Sequence, residues 1–227
     1  MSPIEHGGGL ALGPLVIALP VLTTWGIMAV LALLSWLVTR RLSEQPGVMQ
    51  LLCEGVVSAM AGAVEGVLPG KADQVMPFIG TLWIFIVVAN LVGLVPGLDS
   101  PTADLGITAS LAILVFLSVH WYGIRNEGLA AYLRHYLRPM PLMLPFHIMS
   151  EITRTVALAV RLFGNVMSLE TAALIVLLLA KFLVPVPVMM LHIVEALVQA
   201  YIFGMLALVY IAGAMQAHHA QRAAPKE

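Results

Sequence analysis

The polar side chains best suited to chemistry interrupt an apolar stretch, MSEITRTVALAVRLFGNVMSLE, at residues 149–170. They include Arg154, Arg161, Asn165 and Glu170. A charge at the bilayer centre costs roughly 2.5–3.5 kcal/mol, so these groups should face protein or water. Helical spacing puts Arg154 and Arg161 on one face, with Asn165 one turn beyond Arg161. Since arginine keeps its proton in proteins, Arg161 is predicted to be a permanent cation at membrane depth.

A second polar stripe occurs nearer the C-terminus. His192, Glu195 and Gln199 follow i, i+3, i+7 spacing and therefore share a helix face. A turn predicted at Pro185 and Pro187 would bring this face back toward the first stretch. Histidine changes its charge near neutral pH and carboxylates relay protons, so the stripe predicts an ion path. The alternative interpretation is a satisfied polar cluster that holds helices together.

One pair in the first stretch has a simpler interpretation. Glu151 stands three residues before Arg154, which is within pairing distance on a helix. We therefore predict a structural ion pair between these two side chains.

Composition places the whole chain in the membrane. Of its 227 residues, 60% are hydrophobic and 10% are charged, with a mean hydropathy of +0.97. A soluble domain has about 25% charged residues. The net charge of −1 gives no reason to expect a nucleic-acid partner. A single cysteine excludes an internal disulfide, and the sequence has no GxxxxGK nucleotide loop.

The elements that must position the polar residues are helices. The sequence predicts an all-α integral membrane protein with about five transmembrane helices plus amphipathic surface helices. Residues 44–68 are predicted to be one surface helix, with a helix packed in the bundle as the alternative. Two proline-free runs, 146–181 and 188–217, would be roughly 54 Å and 45 Å long. Because the hydrocarbon core is only ~30 Å thick, we expect both to tilt strongly, as a long C-terminal helical hairpin.

These expectations divide one membrane domain, residues 1–227, into four parts. They are an N-terminal segment (1–19), N-terminal helices (20–138), a tilted hairpin that carries the ion path (139–217) and a tail (218–227). Lys and Arg gather in the segments after the first and third predicted spans and in the tail. The positive-inside rule then predicts the N-terminus outside and the C-terminus inside. We expect the membrane to be the plasma membrane of a bacterium.

Four blocks of residues carry a resemblance to a known family. In chain order they are Pro46-Gly47 with Gln50 and Glu54, then Asn90 to Gly97, then Arg161-Leu162-Phe163-Gly164-Asn165 followed by Glu170, and last Gln199 to Phe203. Together they resemble subunit a of the F-type ATP synthases. The resemblance spans roughly residues 40 to 215.

The resemblance implies an ion-translocating stator subunit. Such a subunit forms inlet and outlet half-channels to carboxylates on a rotating ring of c subunits and couples ion flow to rotation. It is not an enzyme by itself, and it implies no cofactor and no metal. Further implied partners are the peripheral-stalk subunit b, the soluble ATPase head and the lipid bilayer.

The resemblance also assigns residues. It implies that Gln199 lies near Arg161, and that Glu170 and His192 sit together on an aqueous path. Glu195 has no counterpart in the family pattern and joins the predicted ion-translocating residues through its place in the polar stripe.

The transported ion and the function class keep alternatives. A proton is the expected ion, with sodium as the alternative, because selectivity in this family is set largely by the rotor site. Thr155 stands where the family often has proline, which indicates a divergent branch. The alternative function is a self-contained secondary ion transporter or channel.

Overall fold

The computed structural model describes residues 10–12, 15–17, 19–40, 47–95, 100–128, 144–180 and 185–222. The helices within these ranges are α1 (Leu19–Thr39), α2 (Val48–Val67), α3 (Ala72–Val92), α4 (Leu105–Glu127), α5 (Leu144–Ala180) and α6 (Pro185–Arg222), with a short 3₁₀ helix, Pro101–Ala103, before α4. This architecture confirms the all-α membrane fold class.

The N-terminal segment differs from its prediction in one respect. Two three-residue strands, β1 (Leu10–Leu12) and β2 (Leu15–Ile17), pair antiparallel, with Leu10 opposite Ile17. The sequence analysis predicted no strand here. Leucine, valine and isoleucine suit a pleated strand, so this short pairing is compatible with their β propensity.

Six helices in the described part of the chain are long and apolar enough to cross a membrane, against about five predicted. The additional candidate is α2, the least apolar of the six. Its C-terminal end packs on the bundle through Val64 and Leu68, which are buried. Its N-terminal half exposes Val48, Leu51 and Leu52. A surface position for this half stays a prediction.

The centre of the bundle is formed by α3 and α6. Half of the most apolar window in each is buried, compared with 6% in α1 and in α2. α3 and α4 both pack against α6, and α4 also packs against α5. The helix pair α5–α6 therefore packs against α3 and α4.

The two long helices are continuous, as predicted. α5 has 37 residues and α6 has 38. At 1.5 Å per residue each is roughly 55 Å long, nearly twice the ~30 Å hydrocarbon core. α6 starts at Pro185 rather than after Pro187, because proline is tolerated in the first turn of a helix. It also continues to Arg222, five residues past the predicted end, because no helix breaker occurs before Pro225.

Most hydroxyl groups in these helices bond to their own backbone. Thr23, Thr81, Ser118, Thr153 and Thr171 each donate to the carbonyl oxygen four residues earlier, at 2.6–3.0 Å. A hydroxyl satisfied in this way can face lipid without leaving a polar group unpaired.

A tight notch joins α3 to α6. The Trp83 indole stacks on Tyr201, with ring centroids 6.1 Å apart and planes 7° from parallel. Its Nε1 donates to the Tyr201 carbonyl oxygen at 3.3 Å. A Cβ built on Gly204 would lie 2.0 Å from Trp83 Nε1, so only glycine leaves room for the indole. This notch fixes how α6 is rotated against α3.

Two connecting segments lie partly outside the described residues. The sequence favours a surface segment at residues 126–138, which falls mostly in the range 129–143, and a loop to Asp104 with two acidic residues, which falls partly in the range 96–99. After that loop, Asp104 caps α4: its Oδ1 accepts from the backbone N–H groups of Gly106 at 2.7 Å and Ile107 at 3.2 Å.

Candidate functional site

A pair of amide side chains sets the register between α5 and α6. Asn165 Nδ2 donates to Gln199 Oε1 at 2.6 Å. Gln199 is buried and Asn165 is partly buried. Two residues of the predicted ion-translocating set are thus in direct contact, 34 positions apart in the chain.

Arg161 lies one turn before this pair on α5 and is exposed. Within the described residues its guanidinium has neither a hydrogen bond nor an ion pair. Asn165, one turn further along α5, contacts Gln199 of α6, and the neighbouring Leu162 is fully buried, so the exposed Arg161 lies at the edge of the α5–α6 contact. A permanent cation is thus exposed beside the Asn165–Gln199 pair.

Arg154 makes a different contact. Its guanidinium carbon lies 5.4 Å from the ring centroid of Tyr210 on α6, a cation–π distance. The structure gives Arg154 this aromatic neighbour instead of a contact with Glu151, and the ion pair between Glu151 and Arg154 stays a prediction. Through Tyr210, Arg154 ties α5 to α6.

A buried polar network surrounds the start of the second stripe. His192 Nε2 lies 3.3 Å from the carbonyl oxygen of Asn90, and both residues are buried. The Asn90 amide donates to the Ala196 carbonyl oxygen at 3.5 Å and accepts from the Thr102 hydroxyl at 2.6 Å. Ser100 lies 2.7 Å from Thr102. The network therefore links α3, the 3₁₀ helix and α6.

The sequence analysis did not assign Asn90, Ser100 or Thr102 to the site. One signal was present: Asn90 is the strongly polar side chain in an otherwise apolar part of α3. Ser100 and Thr102 carry no such signal, because short hydroxyl residues are common in loops.

Glu170 lies at the same end of the bundle as His192. A Cβ built on Gly93 would lie 3.2 Å from Glu170 Oε1 and 2.9 Å from the Ser100 Cβ. Glu170 thus approaches α3 at Gly93, one helical turn beyond Asn90, which contacts His192. Glu170 and His192, the two predicted relay residues, therefore approach α3 at positions one helical turn apart.

A small cleft, open on one side, lies where α5 and α6 meet α3. Its polar lining consists of Asn90, Asn165, His192, Glu195 and Gln199. Glu195 is half-buried. Amides, an imidazole and a carboxylate around a common space provide donors and acceptors for water or for a moving ion.

Among the described residues, no group of three His, Cys, Asp or Glu side chains could hold a metal ion.

Comparison with known proteins assigns the family. A family model described as ATP synthase A chain matches residues 21–212. The chain belongs to the ATP synthase A chain family. This membership confirms the resemblance on which the sequence analysis relied. It also identifies the chain, with its six candidate spans, as a multi-pass membrane protein.

Similar members of the ATP synthase A chain family occur in several bacteria. A protein of Pelobacter propionicus named ATP synthase subunit a 2 is 63% identical over 216 residues, which cover 95% of this chain and 94% of that protein. ATP synthase subunit a 1 of Hahella chejuensis is 61% identical over 207 residues, covering 91% and 88%. ATP synthase subunit a of Legionella pneumophila strain Paris is 59% identical over 209 residues, covering 92% and 91%.

Proposed function

We propose that this chain is the ion-translocating stator subunit of an F-type ATP synthase. It forms inlet and outlet half-channels to carboxylates on a rotating ring of c subunits, and it couples ion flow to rotation. It breaks and forms no bonds of ATP itself, and ATP chemistry belongs to the soluble head of the complex. One observation carries the proposal: Arg161 is an exposed, permanent cation with no ion pair among the described residues, one turn from the hydrogen-bonded Asn165–Gln199 pair.

The charge of Arg161 has a direct task beside a rotor. A carboxylate that arrives next to a cation is favoured in its ionised form, because an opposite charge lowers its pKa. A protonated rotor carboxyl group would therefore release its proton near Arg161, pass as an anion, and take up another proton beyond it. The same fixed charge repels protons and keeps the two half-channels apart.

The buried network supports an inlet at the His192 end of the bundle. Glu170, His192 and Glu195 are the titratable groups of this proposed path, and Asn165 and Gln199 are its amide members. Imidazole and carboxylate groups can pass protons along such a path. The transported ion is proposed to be a proton, and sodium dependence of ATPase activity in the purified complex tests that choice against sodium.

Partners and location follow from the same proposal. The exposed apolar faces of α5 and α6 flank Arg161 and suit the ring of c subunits. Subunit b and the ATPase head complete the complex. We place the protein in the bacterial plasma membrane, with its N-terminus outside and its C-terminus inside.

Cysteine labelling tests this orientation. In a variant lacking Cys53, single cysteines at Ser2 and Ala220 are treated with an impermeant thiol reagent on intact cells. The proposed orientation exposes the first position outside and the last one inside. Labelling of Ala220→Cys, with Ser2→Cys unlabelled, would reverse the orientation.

The decisive experiment removes the cation. Arg161→Ala should abolish ATP synthesis driven by an ion gradient, because the rotor carboxylate no longer meets a charge that favours its ionisation. It should also raise the passive leak, because the barrier between the half-channels is gone. Synthesis and leak are measured on purified complex in vesicles, with assembly checked by co-purification of the c subunits.

Two variants sharpen this experiment. Arg161→Lys should restore synthesis poorly, since lysine lacks the planar guanidinium and loses its proton more readily when buried. Arg154→Ala removes a cation two turns away on the same helix and should leave synthesis largely intact. Near-normal coupled synthesis in an assembled Arg161→Ala complex would refute the proposed function.

A further inference from the structure

Two carboxylates approach the proposed inlet, and the structure separates them. Glu195 lines the cleft together with Asn90, Asn165 and Gln199, whereas Glu170 is not part of that lining. Glu170 instead approaches Gly93 and Ser100. The two groups therefore face different parts of the path.

Their positions along the helices give an order. The Asn165–Gln199 hydrogen bond fixes a common level on α5 and α6. Glu195 is one turn from Gln199, about 6 Å along α6 at 1.5 Å per residue. Glu170 lies five residues from Asn165 along α5. Its carboxylate approaches Gly93, which lies one turn beyond Asn90 at the C-terminal end of α3. Glu195 is thus the carboxylate nearer to the amide pair, and through it to Arg161.

The surroundings of Glu195 suit a group that gains and loses a proton. It is half-buried, and no cation in the described part of the chain forms an ion pair with it. A change in its protonation state therefore breaks no salt bridge. His192 is the other titratable residue that lines the cleft, one turn away on the same helix.

The amide pair offers a way to hold a water molecule beside Glu195. The Asn165 amide donates its hydrogen bond to the Gln199 oxygen. Gln199 Nε2 is buried and has no acceptor among the described residues. Gln199 and Glu195 are both among the residues that line the cleft. A buried water needs two to four polar partners, as a rule, and the lining residues carry amide, imidazole and carboxylate groups of this kind.

We propose that Glu195 is the innermost proton carrier of the inlet, and that it delivers protons to the rotor carboxylate through water held by Gln199. This inference rests on the function proposed above. In the delivery step the O–H bond of protonated Glu195 breaks, and its proton moves to the bridging water. That water gives one of its protons to the rotor carboxylate, where a new O–H bond forms. Glu195 regains a proton from the His192 and Glu170 side, so no proton is created or lost.

The test replaces Glu195 by a side chain of equal size that does not titrate. Glu195→Gln should lower gradient-driven ATP synthesis and ATP-driven proton pumping roughly 100-fold, the lower end of the contribution of a positioned acid–base group. Glu195→Asp restores a carboxyl group and should recover most of the activity. Both are measured in purified complex in vesicles, with co-purification of the c subunits as the assembly check.

Asp73→Asn is the matched control. Asp73 is an exposed carboxylate in the first turn of α3, at the opposite end from Asn90. Its loss should leave synthesis unchanged. An equal loss of activity in this control would assign the effect to general charge removal and overturn the inference.

Two outcomes would refute the proposed role of Glu195. An assembled Glu195→Gln complex with more than about half of the parental rate has lost no acid–base group that matters and refutes the relay role. Loss of assembly in Glu195→Gln but not in Glu195→Asp gives Glu195 a structural role and also refutes it. In either case an inactive Arg161→Ala complex leaves the proposed function standing, whereas an active one removes the proposed function itself.

Discussion

The two ends of the helix bundle use polar residues for different purposes. At one end, which we call the His192 end, Asn90, His192 and Thr102 are buried beside a cleft. At the other, the Asn126 end, Lys71 Nζ donates to Asn126 Oδ1 at 2.9 Å, and Asn126 Nδ2 donates to the Met215 carbonyl oxygen at 2.9 Å.

The difference lies in the partners. At the Asn126 end, the side-chain amide of Asn126 both accepts and donates a hydrogen bond. These contacts join the start of α3 to the ends of α4 and α6. At the His192 end, the His192 imidazole and the Glu195 carboxylate line one cleft with Gln199, whose amide N–H group has no acceptor among the described residues. The comparison teaches that satisfied amides stabilise the packing, whereas titratable groups around a cleft can serve transport.

The largest expected effect comes from the His192 end. A Glu170→Ala/His192→Ala double variant should reduce ion flux by roughly 100-fold, as expected when positioned proton-transfer groups are removed. The c subunits should still co-purify, because neither side chain supplies the main apolar packing. Unchanged flux and unchanged pH dependence in the assembled double variant would contradict the transport role of the His192 end.

The seam between the two ends should show the next largest effect. Gly204→Ala forces a methyl group into the Trp83 indole and should cost about 1–3 kcal/mol, the usual range for overpacking. The measurement is the temperature at which the subunit dissociates from purified complex. Gly213→Ala is the control, since nothing lies within 4 Å of its added Cβ. Equal behaviour of the two variants would mean that the notch does not set the packing of α6.

The Asn126 end should affect stability without affecting transport. Asn126→Ala removes two hydrogen bonds from an exposed residue and should cost about 1 kcal/mol. Flux per assembled complex should stay at the parental value. Gln74→Ala, an exposed amide of α3, provides the comparison. A flux defect in assembled Asn126→Ala complex would show that the two ends do not have separate roles.

Arg154 gives the smallest effect and the sharpest contrast with Arg161. Loss of its cation–π contact with Tyr210 should cost about 0.5–1 kcal/mol, as at other exposed sites. Tyr210→Leu should cost a similar amount, and the Arg154→Ala/Tyr210→Leu double variant should cost less than the sum, because both remove one contact. Strict additivity would mean that the two side chains do not interact. Dissociation temperature and flux are measured as for the other variants.

The sequence was sufficient for the long helices and for the residues that meet between them. Proline-free runs predicted α5 and α6 as continuous helices, since proline is the main local signal that ends a helix. The turn between the two runs predicted that the polar stripe of α6 faces α5. The hydrogen bond between Asn165 and Gln199 at 2.6 Å joins the two helices, although these two residues were not predicted to be partners.

Contacts with the rest of the bundle could not be predicted in this way. The Trp83–Gly204 notch and the Arg154–Tyr210 contact join residues on different helices, and helical periodicity says nothing about which helices are neighbours. Ser100 and Thr102 are ordinary residues of a connecting segment until the fold buries them against Asn90. The site residues on α5 and α6 could be predicted from the sequence, whereas the residues that support them depend on tertiary structure.

The notch at Gly204 also gives the protein an internal optical probe. Trp83 is 6% exposed, whereas Trp25, Trp36 and Trp121 are at least half exposed on surfaces of apolar helices. Brominated lipids quench the fluorescence of indoles that touch acyl chains, so the emission that survives in such bilayers should come mainly from Trp83. Because this indole stacks on Tyr201, two residues from Gln199, its emission would report motion of α6 against α3 while the complex turns over, without any added label.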